Sequence, residues 1–243
     1  MTVFLTSSPT GPLDRSRIVE GFDTKNRLVE NLKERWPENA RCLLISAAPA
    51  EFAMSDGMRN HMVQAMGISG LSVCACEVWD DRTVDFSPEI LKSYDVVILG
   101  GGHVPTQNDF FRRIGLRDKM AQYGGLVIGI SAGTMNSADV VYAQPELEGE
   151  SIDPNYKRFI PGLGLTKINV LPHYQMIKDA VLDGQRVFED ISYADSMGRE
   201  FYALVDGTYI LCENGAETIW GEAYRIADGV LTQISAEDEI LEI

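Results

Sequence analysis

The stretch that decides the fold is Gly124-Gly125-Leu126-Val127-Ile128-Gly129-Ile130-Ser131-Ala132-Gly133-Thr134-Met135. Residues 126–130 are apolar, rich in β-branched residues and bounded by glycines, which predicts a buried strand. The strand runs directly into Gly129-Ile130-Ser131-Ala132-Gly133, a match to the G-x-S-x-G nucleophile-elbow pattern. In such a turn the serine is strained, its hydroxyl is exposed, and the glycines leave room where a Cβ would collide with backbone. The free N–H groups of the next helix then face negative charge that develops beside the serine.

A five-residue match also occurs by chance in an ordinary strand-to-helix turn, so the composition and the other motifs must support it. With 243 residues, 45% of them hydrophobic, the chain can bury a sizeable core, and one α/β domain over residues 1–243 is the simplest organisation. Its formal net charge of −15 would repel phosphate backbones and anionic membranes, so we expect neither nucleic acid nor a membrane as a partner. No apolar run approaches roughly 18 residues and the amino terminus lacks a signal-peptide layout, so we expect a cytoplasmic protein. The oligomeric state stays open, a homodimer included.

The histidines and cysteines do not form a metal-binding pattern. The three histidines are His61, His103 and His173, and none lies at a ligand spacing from another histidine or a cysteine. Cys74 and Cys76 alternate along a strand-like run, and we interpret them as small buried hydrophobic residues rather than a redox or metal pair. We therefore expect neither a metal nor another cofactor.

The order of predicted elements indicates the fold class. Five apolar runs predict buried strands, at residues 3–6, 41–46, 71–78, 94–99 and 126–130. Between them, helices are predicted at residues 26–36, 55–66, 85–91 and 109–123. Buried strands that alternate with helices are typical of a mostly parallel sheet covered on both faces, which predicts an α/β fold. Further along, we predict strands at residues 165–171 and 202–205, a helix at 185–197, and β-hairpins in the C-terminal segment 209–243.

Three side chains that follow predicted strands form a candidate catalytic set. A serine nucleophile needs a base for its proton and a group that orients the base. His173 comes just past the strand at 165–171, and Asp206 just past the strand at 202–205. Taken alone, His173 could be a loop residue and Asp206 an ordinary Asp-Gly turn. Because Ser131 also ends a strand, we expect the three to meet at one edge of the sheet.

The stretch Gly100-Gly101-Gly102 also ends a strand and is a candidate oxyanion loop. Glycines permit close backbone approach, so N–H groups of this loop can point into the site together with the N–H of Ala132. A phosphate loop is the alternative, but the stretch lacks both the G-x-G-x-x-G and the Lys-Ser/Thr patterns. We expect Gly101 and His103, which flank Gly102, to contact the substrate.

Together these motifs resemble, in order and spacing, the serine peptidases of the aspartyl dipeptidase (peptidase E) and cyanophycinase family. The matching motifs are the triple glycine at 100–102, Gly-Ile-Ser-Ala-Gly at 129–133, Leu-Pro-His-Tyr at 171–174 and Asp-Gly at 206–207. The resemblance implies a flavodoxin-like three-layer α/β sandwich related to class I glutamine amidotransferases, and a Ser-His-Glu triad. It further implies Ser131 as nucleophile, His173 as base, and the N–H groups of Gly102 and Ala132 as oxyanion donors.

The chain departs from that family's pattern at three places. Asp206 stands where the family usually has Glu, and His103 stands where Asn usually follows the triple glycine. The arginine-containing stretch after the family's histidine is only faintly echoed by Gly184-Gln185-Arg186, which argues against specificity for an amino-terminal aspartate. We therefore expect a serine-type peptidase that hydrolyses small peptides through an acyl-enzyme intermediate, with a Ser131–His173–Asp206 triad.

Two other functions remain open. A homologue that binds peptides or small molecules without turnover would account for the differences at Asp206 and His103. A glutaminase of the amidotransferase type is disfavoured, because that chemistry resembles a cysteine nucleophile with a His-x-Glu sequence. This chain instead has Ser131 and His173-Tyr174-Gln175.

Overall fold

The computed structural model describes residues 1–10 and 19–243. The strands in this part of the chain are β1 (Thr2–Thr6), β2 (Ala40–Ile45), β3 (Val73–Trp79), β4 (Val96–Leu99), β5 (Leu126–Ile130), β6 (Val140–Tyr142), β7 (Phe159–Pro161), β8 (Asn169–Leu171), β9 (Val181–Leu182), β10 (Gln185–Arg186), β11 (Glu200–Leu204), β12 (Tyr209–Glu213), β13 (Ala216–Trp220), β14 (Ala223–Ala227), β15 (Val230–Ser235) and β16 (Ile240–Glu242). The α-helices are α1 (Leu28–Arg35), α2 (Phe52–Ile68), α3 (Pro88–Leu91), α4 (Val104–Arg113), α5 (Leu116–Met120), α6 (Ala132–Met135), α7 (Tyr174–Ile177) and α8 (Tyr193–Asp195). Within the described ranges, no helix is both long and apolar enough to cross a membrane.

A large central sheet has eight strands in the order β16-β13-β12-β1-β5-β4-β2-β3. The five strands from β1 to β3 in this order are mutually parallel, and β12, β13 and β16 extend the sheet antiparallel. Leu5 and Leu43 belong to one buried cluster, whereas their neighbours Phe4 and Leu44 belong to another. Because neighbouring strand residues point to opposite faces, both faces of the sheet are buried, which explains the uninterrupted apolar runs. The prediction of an α/β fold with a mostly parallel sheet is confirmed.

A second sheet has the order β15-β14-β11-β8. In it β8 and β11 are parallel, with Leu171 opposite Ala203, and the other two pairs are antiparallel. A third buried cluster contains Leu171, Ala132 and Phe201, and so joins this sheet to α6. Phe201 stacks on Tyr142 with ring centroids 4.2 Å apart. The second sheet therefore packs close to the turn that carries Ser131.

Two predicted helices differ from the structure. The helix predicted at residues 109–123 is divided into α4 and α5 by Gly115, which has φ 61°, and α4 already begins at Val104. The helix predicted at 185–197 begins instead as β10 and continues as a π-helical turn at Val187–Ser192 and then α8. β10 pairs with β9 across Asp183-Gly184, where both residues have positive φ. An Asp-Gly turn of this kind favours a hairpin over a helix.

The prediction that Cys74 and Cys76 are both buried was wrong. Cys74 is exposed and Cys76 is half-buried. Both lie on β3, which is the edge strand of the central sheet, so its residues are less enclosed than those of the inner strands.

Candidate active site

The turn at Ser131 joins β5 to α6 in a strained conformation. Ser131 has φ 50° and ψ −109°, a region that residues with a side chain rarely adopt. A Cβ at Gly129 would come within 2.9 Å of the Cα of Thr134, and a Cβ at Gly133 would overlap the carbonyl oxygen of Leu99. Both glycines are therefore required sterically, as the G-x-S-x-G pattern predicted.

The neighbouring strand β1 holds this turn in place. The N–H of Ser131 and the hydroxyl of Thr134 both donate to the carbonyl oxygen of Thr6, at 3.2 and 2.8 Å. The Thr6 hydroxyl in turn donates to the Gly129 carbonyl oxygen at 2.6 Å. Because Thr6 lies opposite Ile130 in the parallel pair, the two strands leave the sheet at the same edge.

His173 and Asp206 follow the parallel strands β8 and β11 of the second sheet. Since Leu171 pairs with Ala203, the residues just beyond them lie side by side. The expectation that all three candidate residues leave one sheet is therefore corrected. Ser131 ends a strand of the central sheet, and the other two end strands of the second sheet.

The three side chains nevertheless form a continuous chain of hydrogen bonds. Ser131 Oγ lies 2.9 Å from His173 Nε2, and His173 Nδ1 lies 2.7 Å from Asp206 Oδ1. A carboxylate only accepts hydrogen bonds, so the Nδ1–H of His173 donates to Asp206. Nε2 of the neutral imidazole is then the acceptor for the Ser131 hydroxyl. This is the geometry that activation of a serine nucleophile requires.

Asp206 is held by two residues that the sequence did not predict. Its side chain is fully buried, and its carboxylate accepts the Ser7 hydroxyl on Oδ1 at 2.7 Å and Gln175 Nε2 on Oδ2 at 2.6 Å. Burial acts to raise the pKa of Asp206. The hydrogen bond and charge of His173, with the bonds from Ser7 and Gln175, outweigh burial and hold the pKa below its usual value. Asp206 is therefore a charged acceptor at neutral pH.

Ser7 also connects the two sheets. Its hydroxyl oxygen accepts the backbone N–H of His173 at 2.8 Å while donating to Asp206. Ser7 lies 199 residues from Asp206 in the chain, so no local pattern joins them. The one available signal was that Ser7 comes directly after β1. Position after a strand was also the criterion that selected Ser131, His173 and Asp206 as candidates.

The Gly100–Gly102 loop follows β4 and packs against the Ser131 turn. A Cβ on Gly101 would lie 3.4 Å from the Cβ of Ser131, and a Cβ on Gly102 would lie 2.8 Å from that of Ala47. Gln107 Nε2 donates to the Gly100 carbonyl oxygen at 2.7 Å and fixes the loop to α4. A Cβ at Gly101 would therefore make an ordinary contact with the Ser131 turn, whereas a Cβ at Gly102 would collide with Ala47, so the packing of this loop requires glycine at position 102.

Two backbone N–H groups beside Ser131 are open to an acceptor. Ala132 is the first residue of α6, so its N–H has no partner within the helix. In the described part of the chain, the N–H of Gly102 has no hydrogen-bond acceptor either. An oxyanion site needs free N–H groups of this kind, and the role of Gly102 and Ala132 as its donors stays a prediction.

His103 lies apart from this hydrogen-bonded chain. Its Nδ1 is 2.8 Å from Thr106 Oγ1, and its Nε2 is 2.8 Å from Glu150 Oε1. Both ring nitrogens are thus engaged within the protein, and the side chain joins the start of α4 to the loop at residues 144–151. Contact of His103 with the substrate stays a prediction.

A cavity of about 280 Å³ opens beside Ser131 and His173. Most of its lining is apolar, provided by Met135, Pro145, Pro172, Ile177, Ala180, Val181, Leu182 and Val187. Two further polar side chains, those of Gln144 and Glu146, line it. Larger hollows occur elsewhere, such as one of about 500 Å³ at the amino-terminal ends of β1 and β5, but neither Ser131 nor His173 lines that hollow. Among the described residues, no group of three or more His, Cys, Asp or Glu side chains could hold a metal ion.

Comparison with protein families identifies the class of this chain. The model of peptidase family S51 matches residues 19–219, which is most of the sequence. The chain belongs to peptidase family S51. It is therefore a serine-type peptidase, a hydrolase, as the ordered motifs predicted.

Two solved structures of low sequence identity share the fold of this S51 peptidase. A peptidase from an acI-B1 Actinobacterium is 15% identical, with a TM-score of 0.65 over 100% of this chain and 96% of that one. A protein assigned as peptidase E from Listeria monocytogenes EGD-e is 17% identical, with a TM-score of 0.60 over 96% of this chain and 98% of that one. No curated protein sequence matches the chain. At these identities the structural likeness shows the α/β fold alone.

Proposed function

We propose that this S51 peptidase hydrolyses small peptides as a dipeptidase does, with Ser131 as nucleophile, His173 as general base and Asp206 as the acid that orients the base. The observation that carries the proposal is the unbroken chain of hydrogen bonds, 2.9 Å from Ser131 to His173 and 2.7 Å from His173 to Asp206. The strained turn at Ser131 serves as the nucleophile elbow, because it presents the hydroxyl to the base and the following N–H to the oxyanion.

In the acylation half, Ser131 Oγ attacks the carbonyl carbon of the peptide bond while His173 Nε2 takes its proton. Asp206 stabilises the imidazolium through the Nδ1–H bond. The tetrahedral oxyanion accepts hydrogen bonds from the N–H groups of Gly102 and Ala132. His173 then gives its proton to the leaving amine, the C–N bond breaks, and an ester remains on Ser131.

In the deacylation half, a water molecule takes the place of the departed amine. His173 Nε2 removes a proton from this water as it attacks the ester carbonyl. The proton returns to Ser131 Oγ when the C–O bond breaks, and the amino-terminal product leaves as a carboxylic acid. The same base and the same oxyanion donors therefore serve both halves.

The size of the cavity supports a small substrate. At about 280 Å³ it lies below the roughly 300–1,000 Å³ that is usual for sites holding drug-sized ligands. Asp206 reaches His173 at 2.7 Å although aspartate is shorter than the family's usual glutamate. That distance supports a working triad despite the first of the two departures that suggested a homologue without turnover; the second departure is His103 in place of asparagine. In the His-x-Glu pattern of a glutaminase, a glutamate stands two residues after the histidine. Here that residue is Gln175, and its amide donates a hydrogen bond to Asp206.

We infer that the fold is flavodoxin-like, as in class I glutamine amidotransferases, from the order of the parallel strands. The order β3-β2-β4-β5 is that of strands 2-1-3-4 in the flavodoxin arrangement, and β1 occupies the place of the fifth strand. In such sheets, ligands bind outside the carboxyl ends of the strands, which is where Ser131 lies.

A fluorophosphonate probe and a set of dipeptides test the proposal. We expect the wild type to be labelled and to hydrolyse dipeptides, and Ser131→Ala to lose the label and at least about 10⁴-fold in kcat, because the triad acts as a unit. Ser93→Ala, at an exposed serine two residues past the end of α3, is the matched control and should keep both properties. Unchanged hydrolysis by Ser131→Ala would exclude the proposed nucleophile.

A further inference from the structure

The cavity beside Ser131 has an unusual distribution of charge for a site that would take an acidic residue. Apart from Ser131 and His173, its polar lining consists of Gln144 and Glu146. Within the described residues, no lysine or arginine lines it. A substrate carboxylate placed there would meet apolar walls and a carboxylate of the same charge, which is unfavourable. The walls instead suit an apolar side chain.

The backbone of the loop at residues 144–151 holds Glu146 at this cavity. The N–H groups of Glu146 and Leu147 both donate to Glu150 Oε2, at 2.8 and 3.0 Å, and Glu150 Oε1 pairs with His103. Asp183, at the tip of the β9–β10 turn, accepts the N–H of Gly149 at 2.8 Å. Glu146, which is one of the residues that line the cavity, is therefore positioned by contacts on both sides of the loop.

The Glu146 carboxylate has no cationic partner in the described part of the chain. The backbone N–H of Val104 favours its charged form. Although the residue is exposed at the cavity mouth, the protein around its carboxyl desolvates it, and the charge of Glu150 adds to the effect, which raises the pKa of Glu146 to about 7. A cation bound next to this carboxylate would relieve both effects.

We propose that Glu146 is a specificity residue, whose carboxylate binds the α-ammonium group of peptides that carry an apolar amino-terminal residue. The inference rests on the proposed function, because it assumes that the peptide is cleaved at Ser131. In a dipeptide, the α-amino group is separated from the scissile carbonyl by one carbon atom. A carboxylate that lines the same cavity as Ser131 therefore meets this ammonium group, while the side chain on the same carbon faces the apolar walls.

Binding to the Ser131→Ala variant tests the proposal without turnover. Calorimetry would give the Kd of Leu-Ala, N-acetyl-Leu-Ala, Asp-Ala and N-acetyl-Lys-Ala. We expect Leu-Ala to bind roughly 10-fold more tightly than the acetylated form and than Asp-Ala, because a charge-assisted hydrogen bond is lost in one and like charges meet in the other. This expected difference of roughly 10-fold is at the low end of the range for a hydrogen bond to a charged group, because solvent reaches Glu146 and weakens the interaction.

The second substitution separates charge from the bulk of the acetyl group. With Glu146→Gln added, the difference between Leu-Ala and N-acetyl-Leu-Ala should disappear, whereas Glu148→Gln, an exposed change on the same loop, should preserve it. Equal weakening of both ligands by Glu146→Gln would overturn the proposal. Tighter binding of Asp-Ala than of Leu-Ala would also overturn it. If N-acetyl-Lys-Ala were the tightest ligand and depended on Glu146, the cation bound would be a side chain, and the proposed α-ammonium contact would be wrong.

Turnover by the otherwise wild-type protein distinguishes failure of the two proposals. If Ser131 takes the fluorophosphonate label and dipeptides are cleaved, but Glu146→Gln leaves the ratio of kcat/KM for Leu-Ala over N-acetyl-Leu-Ala unchanged, only the inference about Glu146 fails. If no peptide is cleaved and Ser131 is not labelled, the proposed function fails. The Kd pattern in the Ser131→Ala variant then still decides whether Glu146 binds an ammonium group.

Discussion

Replacing Asp206 with asparagine perturbs the proposed triad at its buried end. In the wild type, Ser7 and His173 donate to Oδ1 and Gln175 donates to Oδ2. Asparagine offers one acceptor oxygen and one NH₂ group in the same shape. If the oxygen takes the Oδ1 position, the NH₂ group faces the NH₂ group of Gln175. Gln175 cannot reverse its amide without loss, because its Oε1 accepts the N–H of residue 206 at 3.1 Å.

The other orientation of the asparagine damages the base directly. An NH₂ group at the Oδ1 position donates to His173 Nδ1 and moves the imidazole proton to Nε2. Nε2 then cannot accept the proton of Ser131. We expect kcat to fall about 10⁴-fold, the loss found when the orienting aspartate of a serine protease triad becomes asparagine. That loss corresponds to about 5 kcal/mol of transition-state stabilisation. A single unpaired buried donor costs only about 1–3 kcal/mol of folding free energy, so the variant should be folded and inactive.

Steady-state kinetics with a cleavable dipeptide, together with urea unfolding, would measure both quantities. Asp23→Asn is the matched control, since Asp23 lies beside Gly207 and its Oδ1 accepts the backbone N–H of Lys25. We expect this control to keep its activity. If Asp206→Asn were folded and retained more than about a tenth of the wild-type kcat, against the expected 10⁴-fold loss, the assignment of Asp206 to the triad would be refuted.

Three further predictions concern the surroundings of this triad. Ser7→Ala should lower the free energy of unfolding by about 1–3 kcal/mol in urea titrations, because the buried Asp206 carboxylate loses a donor and the partly buried N–H of His173 loses its acceptor. The pKa of Asp206 is lower in the folded protein than its ordinary value of about 4 in an unfolded chain, so the ionised carboxylate should stabilise the fold above about pH 4. That stability should be lost as the pH falls through the folded pKa. The free energy of unfolding should therefore depend less on pH in Asp206→Asn than in the wild type. Gly133→Ala should lower the free energy of unfolding by about 1–3 kcal/mol or more in thermal unfolding, because the added Cβ would overlap the Leu99 carbonyl. Gly124→Ala is the control and should be nearly neutral, because there is open space where its Cβ would lie.

The parts of the fold that were predictable are those whose signal is local. β5 has the predicted bounds, Leu126–Ile130, because a strand buried on both faces needs an uninterrupted apolar run. α4 begins at Val104, well before the predicted residue 109, because its first residues include buried Gln107 and Asn108. These side chains bond to Gly100 and to Asn136 rather than following an apolar period. The start of this helix was therefore not predictable from an apolar pattern, because its buried residues are polar and are stabilised by tertiary hydrogen bonds.

The candidate site divides in the same way. Ser131 was predictable because its turn has room only for glycine at positions 129 and 133, and this requirement is visible in a motif of five residues. The meeting of His173 and Asp206 followed from their positions after strands, but which sheet holds these strands depends on long-range pairing. Ser7 and Gln175 act through contacts across the fold, and no residue near them in the chain marks that role.

Ser7 matters to catalysis in the proposed mechanism because the triad is divided between two sheets. Ser131 is fixed to the central sheet, whereas the base and the acid end strands of the second one. Ser7 follows β1 of the central sheet, yet its hydroxyl bonds both Asp206 and the backbone of His173. A misplacement of about 1 Å between reacting groups can cost about 10²-fold in rate. We therefore infer that Ser7 is a positioning residue, and that its loss lowers kcat by more than its effect on stability alone would.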